Sequence, residues 1–432
     1  MAPPNLNPNP VPNSNPNPVP NSNPNPVPNS NPTPVPNSNP NPVPNSNPTP
    51  GQTLTSRALN RATLARQYLL DRTTTPVREA VAHLAGLQAQ EPQEPFIGLW
   101  SRLRAFTPDQ LDRALTDRHV VRTHLMRRTV HLVTDDDALA WRARHDNMLR
   151  QRVLATYRRE LDGIDLDELA AAGRAVMADR RPRTMAELVQ AVQDRWPDPP
   201  RRALGELLVA ALIPMAQLPP RGLWQQKAGV RNLPLTTWLE RDTTPTTPTA
   251  PTTPTIPTTP VTVPPEAEDP AGQQLVRRYL AAYGPAATAD IRAWSGLAGL
   301  PAAVKAMRNE LITFRDERGR TLLDLPDAPR PSPDTPAPVR FLPAFDNAIL
   351  GYQDRSRIID DPHLGLSVAG QRAVLVDGRV AATWTTHDHQ LRVTPLRPFS
   401  SPEREAITEE ANALAVFLDQ DITRVEITTA PQ

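Results

Sequence analysis

An octapeptide, NPNPVPNS, repeats from near the start of the chain, with copies beginning at Asn7, Asn15, Asn23, Asn31 and Asn39; the fourth carries Thr33 in place of Asn. Residues 1–50 hold 19 of the 54 prolines and no charged residue. Each proline fixes φ and removes a backbone donor, so neither a helix nor a sheet ladder can run through such a stretch. Too little apolar surface is present to bury a core. The pattern predicts a disordered, polyproline-II-like tail over 1–52, about 150 Å long if extended. A solvated spacer is the expected role, and a ligand for a proline-binding partner is the minority reading. A second spacer, TTPTTPTAPTTPTIPTTPVTVPP at 243–265, and a weaker break at 325–340 divide what remains.

The low hydrophobic content, 38%, is therefore a local deficit, and 432 residues still allow two to four domains. Cysteine is absent, which excludes disulfide scaffolds, thiol catalysis and thiolate metal sites. The eight histidines form no H-x-x-x-H pair, so no metal site is expected. No apolar run approaches a membrane-spanning length, and MAPPNLNPNP has neither a basic nor an apolar signal region. A cytoplasmic protein, nucleoid-associated if it binds DNA, is the expectation. Net charge is +1 and names no partner by itself. Only Lys227 and Lys305 are lysine, leaving 45 arginines, a bias that suits a GC-rich genome and incidentally suits phosphate contact.

Between the spacers, one order of elements recurs. A helix led by Pro76 is expected through Leu87, followed by one capped at Thr107-Pro108; β-rich runs then flank Met126-Arg127-Arg128. Thr134 and three aspartates cap a further helix toward Leu161. TMAELVQAVQDRW and RRALGELLVAALI precede a second expected hairpin, Met215–Leu218 with Leu223–Gln225. A third set runs from Gln273 to a hairpin around Glu317-Arg318-Gly319. Three helices and then a hairpin is the winged-helix order, and three copies argue more strongly than one. The last block reads as strands around Asp377-Gly378, a helix from Pro402 to Leu418 and a closing strand, ITRVEIT. The expected class is α+β: a tail at 1–52, winged helices at 53–160, 161–242 and 268–338, a Thr/Pro linker at 243–267, and a small β-barrel with one helix at 339–432.

Winged helices place a helix in a groove and a wing on the backbone of duplex DNA. From Arg118 to Arg159, ten arginines face four aspartates, a net +6 around the proposed hairpin. Arg127 and Arg128, at its tip, are the best placed to enter a groove. Glu91, Glu94, Asp346, Asp354, Asp360 and Asp361 are expected in surface ion pairs. No glycine cluster could build a phosphate loop, and Ser and His are too scattered for a triad.

GLQAQEPQEPFIGLWSRL at 86–103, followed by RTHLMRRTVHLV at 122–133, resembles the AlkZ/YcaQ family of bacterial winged-helix DNA glycosylases. Similar segments follow at 281–297, 341–359 and 374–384, so the resemblance covers nearly all of 53–430 apart from the Thr/Pro insertion. It implies three tandem winged helices plus a β-barrel around a DNA cleft, and removal of N7-alkylguanine or unhooking of interstrand crosslinks. It further implies a catalytic Gln-x-Gln motif at Gln88 and Gln90. The family's usual Arg-Gly-Thr is Arg127-Arg128-Thr129 here, a departure that changes the hairpin turn. DNA contacts are expected from Arg122, His124, Arg127, Arg128 and His131. Damaged duplex DNA is the expected partner of a monomer that needs no cofactor.

The implied chemistry is physically coherent. A purine alkylated at N7 is already cationic and departs neutral, so no general acid is required. A carboxamide offers one acceptor oxygen and two donor hydrogens, enough to hold and orient a water at the anomeric carbon. Neither lysine lies near the motif in sequence, so a Schiff-base lyase step is not expected and the product is an abasic site. A non-catalytic winged-helix regulator, or a scaffold acting through the tail, are the competing readings.

Overall fold

The computed structural model describes residues 48–241, 269–418 and 422–429. The repeat region through residue 47 and the whole of the Thr/Pro spacer lie outside them. The described chain is a mixed α+β fold with three small sheets.

Helix–helix–helix–hairpin occurs three times as an order of elements. Helices Val77–His83, Glu94–Trp100 and Pro108–Thr116 precede the strand pair Val120–His124 and Val130–Thr134. Leu166–Met177, Met185–Val192 and the run from Arg201 to Leu212 precede Met215–Gln217 and Asn232–Pro234. Pro270–Tyr283, Thr288–Ser295 and Leu300–Ala306 precede Ile312–Asp316 and Thr321–Asp324. The first two hairpins share one five-stranded sheet, because Val120–His124 pairs antiparallel with Met215–Gln217. The third hairpin takes Thr53–Leu54 as a parallel edge strand.

Caps explain several boundaries. Thr134 accepts from the Asp137 amide and starts the 22-residue helix Asp135–Thr156, whose first turn carries three aspartates at the positive end of the helix dipole. Thr184 and Glu187 form a capping box. One continuous core joins Trp141 and Leu149 of the long helix to Leu204, Leu208, Tyr279 and Trp294.

Three expectations need correction. The helix expected through Leu87 ends at His83, because Ala85 and Gly86 take positive φ (53° and 87°) and turn Leu87–Gln88 into a strand beside Val130–Thr134. The return strand of the second hairpin is Asn232–Pro234; Leu223–Gln225 is turn, held where Trp224 packs on Phe96 and Phe417 at centroid distances of 4.9 and 5.2 Å. The C-terminal strands do not close into a barrel. They form an open sheet, ordered Arg424–Ile427, Gln390–Pro395, Arg379–His387, Arg372–Val376, Arg340–Leu342, whose two edges do not pair among the described residues. Helix Ser401–Leu418 covers one face with Ile407, Ala411 and Leu414 against Phe341 and Trp384. Asp377 and Gly378 both have positive φ at the expected hairpin turn.

Candidate active site

Gln88 and Gln90 lie at the edge of the central sheet. Gln88 ends the strand Leu87–Gln88 and Gln90 lies two residues further on, in a bend, while Leu87 and Ala89 are buried in the core behind Gln88. Gln88 is partly buried and Gln90 exposed. Gln88 stands opposite His131 in the ladder. The Val130 amide donates to Gln90 Oε1 at 3.2 Å, and Arg127 Nη2 donates to Gln88 Oε1 at 2.8 Å. A backbone amide and a guanidinium can only donate, so both contacts fix which end of each carboxamide is oxygen.

Beside Gln88 runs a crevice lined by Gln67, Gly86, Pro343, Phe345, Asp346 and Asn347. The cavity is about 10 Å³, room for the centre of one water and far too small for a purine. Two carboxylates line it, and both are committed elsewhere. Glu94 accepts from Arg372 and from the Ala344 amide, and Asp346 accepts two bonds from Arg102. Glu94 and Asp346 are 5% and 6% exposed, so the surface ion pairs expected for them are buried ones. The Gln88 carboxamide oxygen keeps a lone pair for water, having one donor where it can accept two.

Gly86 makes this edge possible. A Cβ there would sit 2.7 Å from Val133 Cγ1 and 3.1 Å from the Leu132 carbonyl oxygen, on a backbone with φ of 87°. Gly86→Ala is expected to cost about 1–3 kcal/mol and to displace the strand that carries Gln88. Urea unfolding checks the first effect. An unchanged midpoint would contradict the packing described.

The other residues expected at the DNA are turned largely inward. Arg127 is partly buried: Nη1 donates to the Trp294 carbonyl at 2.8 Å, and Nη2 to Asn347 Oδ1 at 3.0 Å as well as to Gln88. Its pKa is lowered to about 10, first by burial and then by the charges of Arg355 and Arg152, with Tyr283 opposing; it stays protonated at neutral pH. Arg128 donates to Thr156 Oγ1 at 3.1 Å and lies 3.5 Å from Glu206. Arg128 has φ of 65°, the left-handed region that the glycine of the Arg-Gly-Thr form adopts freely. Arg122 is 2% exposed and donates to Gln217.

His131 and His145 are buried behind the hairpin, and His124 beside them is partly buried. His131 is fully buried, and its Nδ1 donates to the Thr129 carbonyl at 3.1 Å. Burial holds His124 and His145 down to about 4, helped by the Arg142 charge; His131 lies well below its ordinary value, through burial and then Arg127. All three folded values fall below the unfolded 6.5, so the unfolded chain binds more protons as pH falls below about 6.5. Stability should therefore be complete above about pH 7 and fall progressively toward pH 4. Thermal melts at pH 7.5, 6 and 5 test this, and equal melting temperatures at all three would contradict it.

Sequence reasoning missed Asn347 and Phe345, and it did not single out Arg152, counted only within the basic stretch, or Arg355, expected only in a surface ion pair. Asn347 lies inside the FLPAFDNAILGYQDRSRII segment, yet nothing in the residues singled it out. Phe345, with φ of 60°, sits at the crevice in a conformation uncommon for a bulky residue. Arg152 is exposed and Arg355 partly buried, and both act electrostatically on Arg127.

A family model described as DNA glycosylase AlkZ-like matches residues 81–417. The solved structure of Streptomyces sahachiroi DNA glycosylase AlkZ is similar in fold, with a TM-score of 0.67 and 21% identity, over 87% of this chain and 100% of that one. No curated protein matches the chain. No helix among the described residues is long and apolar enough to cross a membrane.

Proposed function

The chain belongs to the AlkZ-like family of DNA glycosylases, and from that premise we propose that it hydrolyses the N-glycosidic bond of cationic N7-alkylated purines in duplex DNA. Gln88 and Gln90 orient the attacking water. One observation carries this reading: two carboxamides at the end of an edge strand, their oxygens fixed by donors, with Gln88 lining a crevice that has room for one water and in which every carboxylate is already paired. A carboxamide is too weak a base to deprotonate water strongly. The pair therefore suits a departing group that needs little push, a cationic purine, and acts through proximity and fixed dipoles.

The crevice cannot take up a purine, so the lesion stays outside it and a bulky adduct meets no closed pocket. This favours large N7 adducts and extends to the unhooking of interstrand crosslinks. No lysine lines the crevice, so the reaction stops at an abasic site. We assign the three helix–helix–helix–hairpin sets, 53–160, 161–242 and 268–338, as winged-helix modules that hold the duplex, followed by a C-terminal module at 339–432. Residues 1–52 and 243–267 are spacers. Arg152 and Arg355 join His124 and Arg128 as candidates for the DNA side of the site, Arg152 being the most exposed of them, while Arg122 and His131, 2% and 0% exposed, support the site from within.

A duplex carrying one N7-methylguanine tests the reading. The expected products are free N7-methylguanine and strand breaks that appear only after heating in alkali, while a duplex carrying neutral uracil stays intact. No base release, breaks without alkali, or equal release of uracil would contradict it. Deleting residues 1–50 should leave the rate unchanged; a large loss would contradict the spacer assignment.

A further inference from the structure

We infer that Arg127 is a positioning residue, which aims the carboxamide of Gln88 and ties that aim to the docking of three separate segments; the role in catalysis rests on the function proposed above. The guanidinium binds three oxygens from distant parts of the chain: Gln88 Oε1 on the edge strand, the Trp294 carbonyl, and Asn347 Oδ1 at the start of helix Asn347–Leu350. None of the three is charged, so the contact is directional rather than a simple ion pair. The fork of a guanidinium serves such a set, whereas an ammonium is a compact point donor on a flexible stem.

Each partner has a reason to be where it is. Trp294 is the penultimate residue of helix Thr288–Ser295, and the last carbonyls of a helix lack intrahelical partners. A cation at that end is favoured by the helix dipole. Gly296 ends the helix at φ of 77°, and a Cβ there would lie 3.4 Å from the Arg127 amide nitrogen, so the hairpin tip abuts the helix end. Asn347 is 6% exposed and sits next to Asp346, which Arg102 holds with two buried bonds. Arg127 itself has φ of 57° and ψ of 14°, a turn that sends the side chain back over the sheet edge instead of outward.

The consequence is specific. Arg127 acts through Gln88 and not on the phosphate backbone. The carbonyl end of Gln88 faces the guanidinium, which fixes the direction of the lone pair left for the water.

The test combines single-turnover excision from N7-methylguanine duplex with binding to undamaged duplex across a salt series, in full-length protein. R127K should slow excision by between about 10- and 100-fold, as small misplacements of reacting groups do. In a Q88A background the same change should cost less than about threefold, because the residue it positions is gone. R127M should leave the slope of log K against log salt unchanged; a phosphate contact would reduce it by about one. N347A, which removes one of the three acceptors, should give a smaller loss in the same direction, also abolished by Q88A, and it decides the matter if the Arg127 variants fold poorly. Losses that multiply with Q88A, or a reduced salt slope in R127M, would overturn the inference. If the unaltered enzyme releases no base, the proposed chemistry fails, while the salt slope still decides whether Arg127 meets DNA.

Discussion

Gln88→Ala should lower single-turnover release of N7-methylguanine by about 10²–10³-fold, the usual effect of removing one preorganised dipole from a reacting centre. Gln90→Ala should fall in the same range. Affinity for duplex should be unchanged in both, since a neutral carboxamide on a sheet edge contributes no counterion release. The structural reason is that each oxygen is already held, Gln88 by Arg127 and Gln90 by the Val130 amide, so the water meets groups that need not reorganise. Gln88→Glu is informative in another way. A carboxylate beside Arg127 would form an ion pair at the 2.8 Å contact and lose the donor end of the amide. Its activity should resemble the alanine variant and not exceed the natural enzyme. Faster excision by Gln88→Glu would show that base strength, and not orientation, limits the reaction.

The largest stability effect is expected far from the crevice, at Asp324. Its carboxylate is fully buried and takes Arg66 at 2.7 and 2.9 Å and Arg330 at 2.6 Å, with the Leu325 amide as a further donor. Arg66 belongs to the helix Ser56–Arg66 and Asp324 to the third hairpin, so the pair fastens the N-terminal helix to that hairpin. Asp324→Ala strands two arginines in a dry interior without a counter-charge. The expected cost is about 3–5 kcal/mol, seen as a lower urea midpoint. Asp71→Ala, a change at a surface carboxylate, serves as the control and should be near neutral. A midpoint for Asp324→Ala equal to that control would contradict the buried network.

Much of the fold was legible because local signals and tertiary packing agree. Thr134 with its aspartates, Thr107-Pro108, Thr184 and Asp377-Gly378 each mark a boundary that the structure keeps. Gln88 and Gln90 were readable only through the resemblance, since two glutamines have no chemical signature alone. Their strand was hidden by the left-handed pair Ala85-Gly86, which a helical pattern through Leu87 conceals. Arg122 and Arg142 were counted in the basic stretch, yet each is 2% exposed; charge in a sequence does not report which way a side chain points. Asn347 meets Arg127 across 220 residues, and no spacing rule reaches that far.

A double-mutant cycle tests the central claim most directly. Single-turnover rates of N7-methylguanine release are measured for the unaltered enzyme, Q88A, Q90A and the double variant. If the two amides hold one water as a unit, the double variant is no slower than the slower single, because either change already frees that water. Losses that multiply, or a single variant that keeps the full rate, would contradict a shared water.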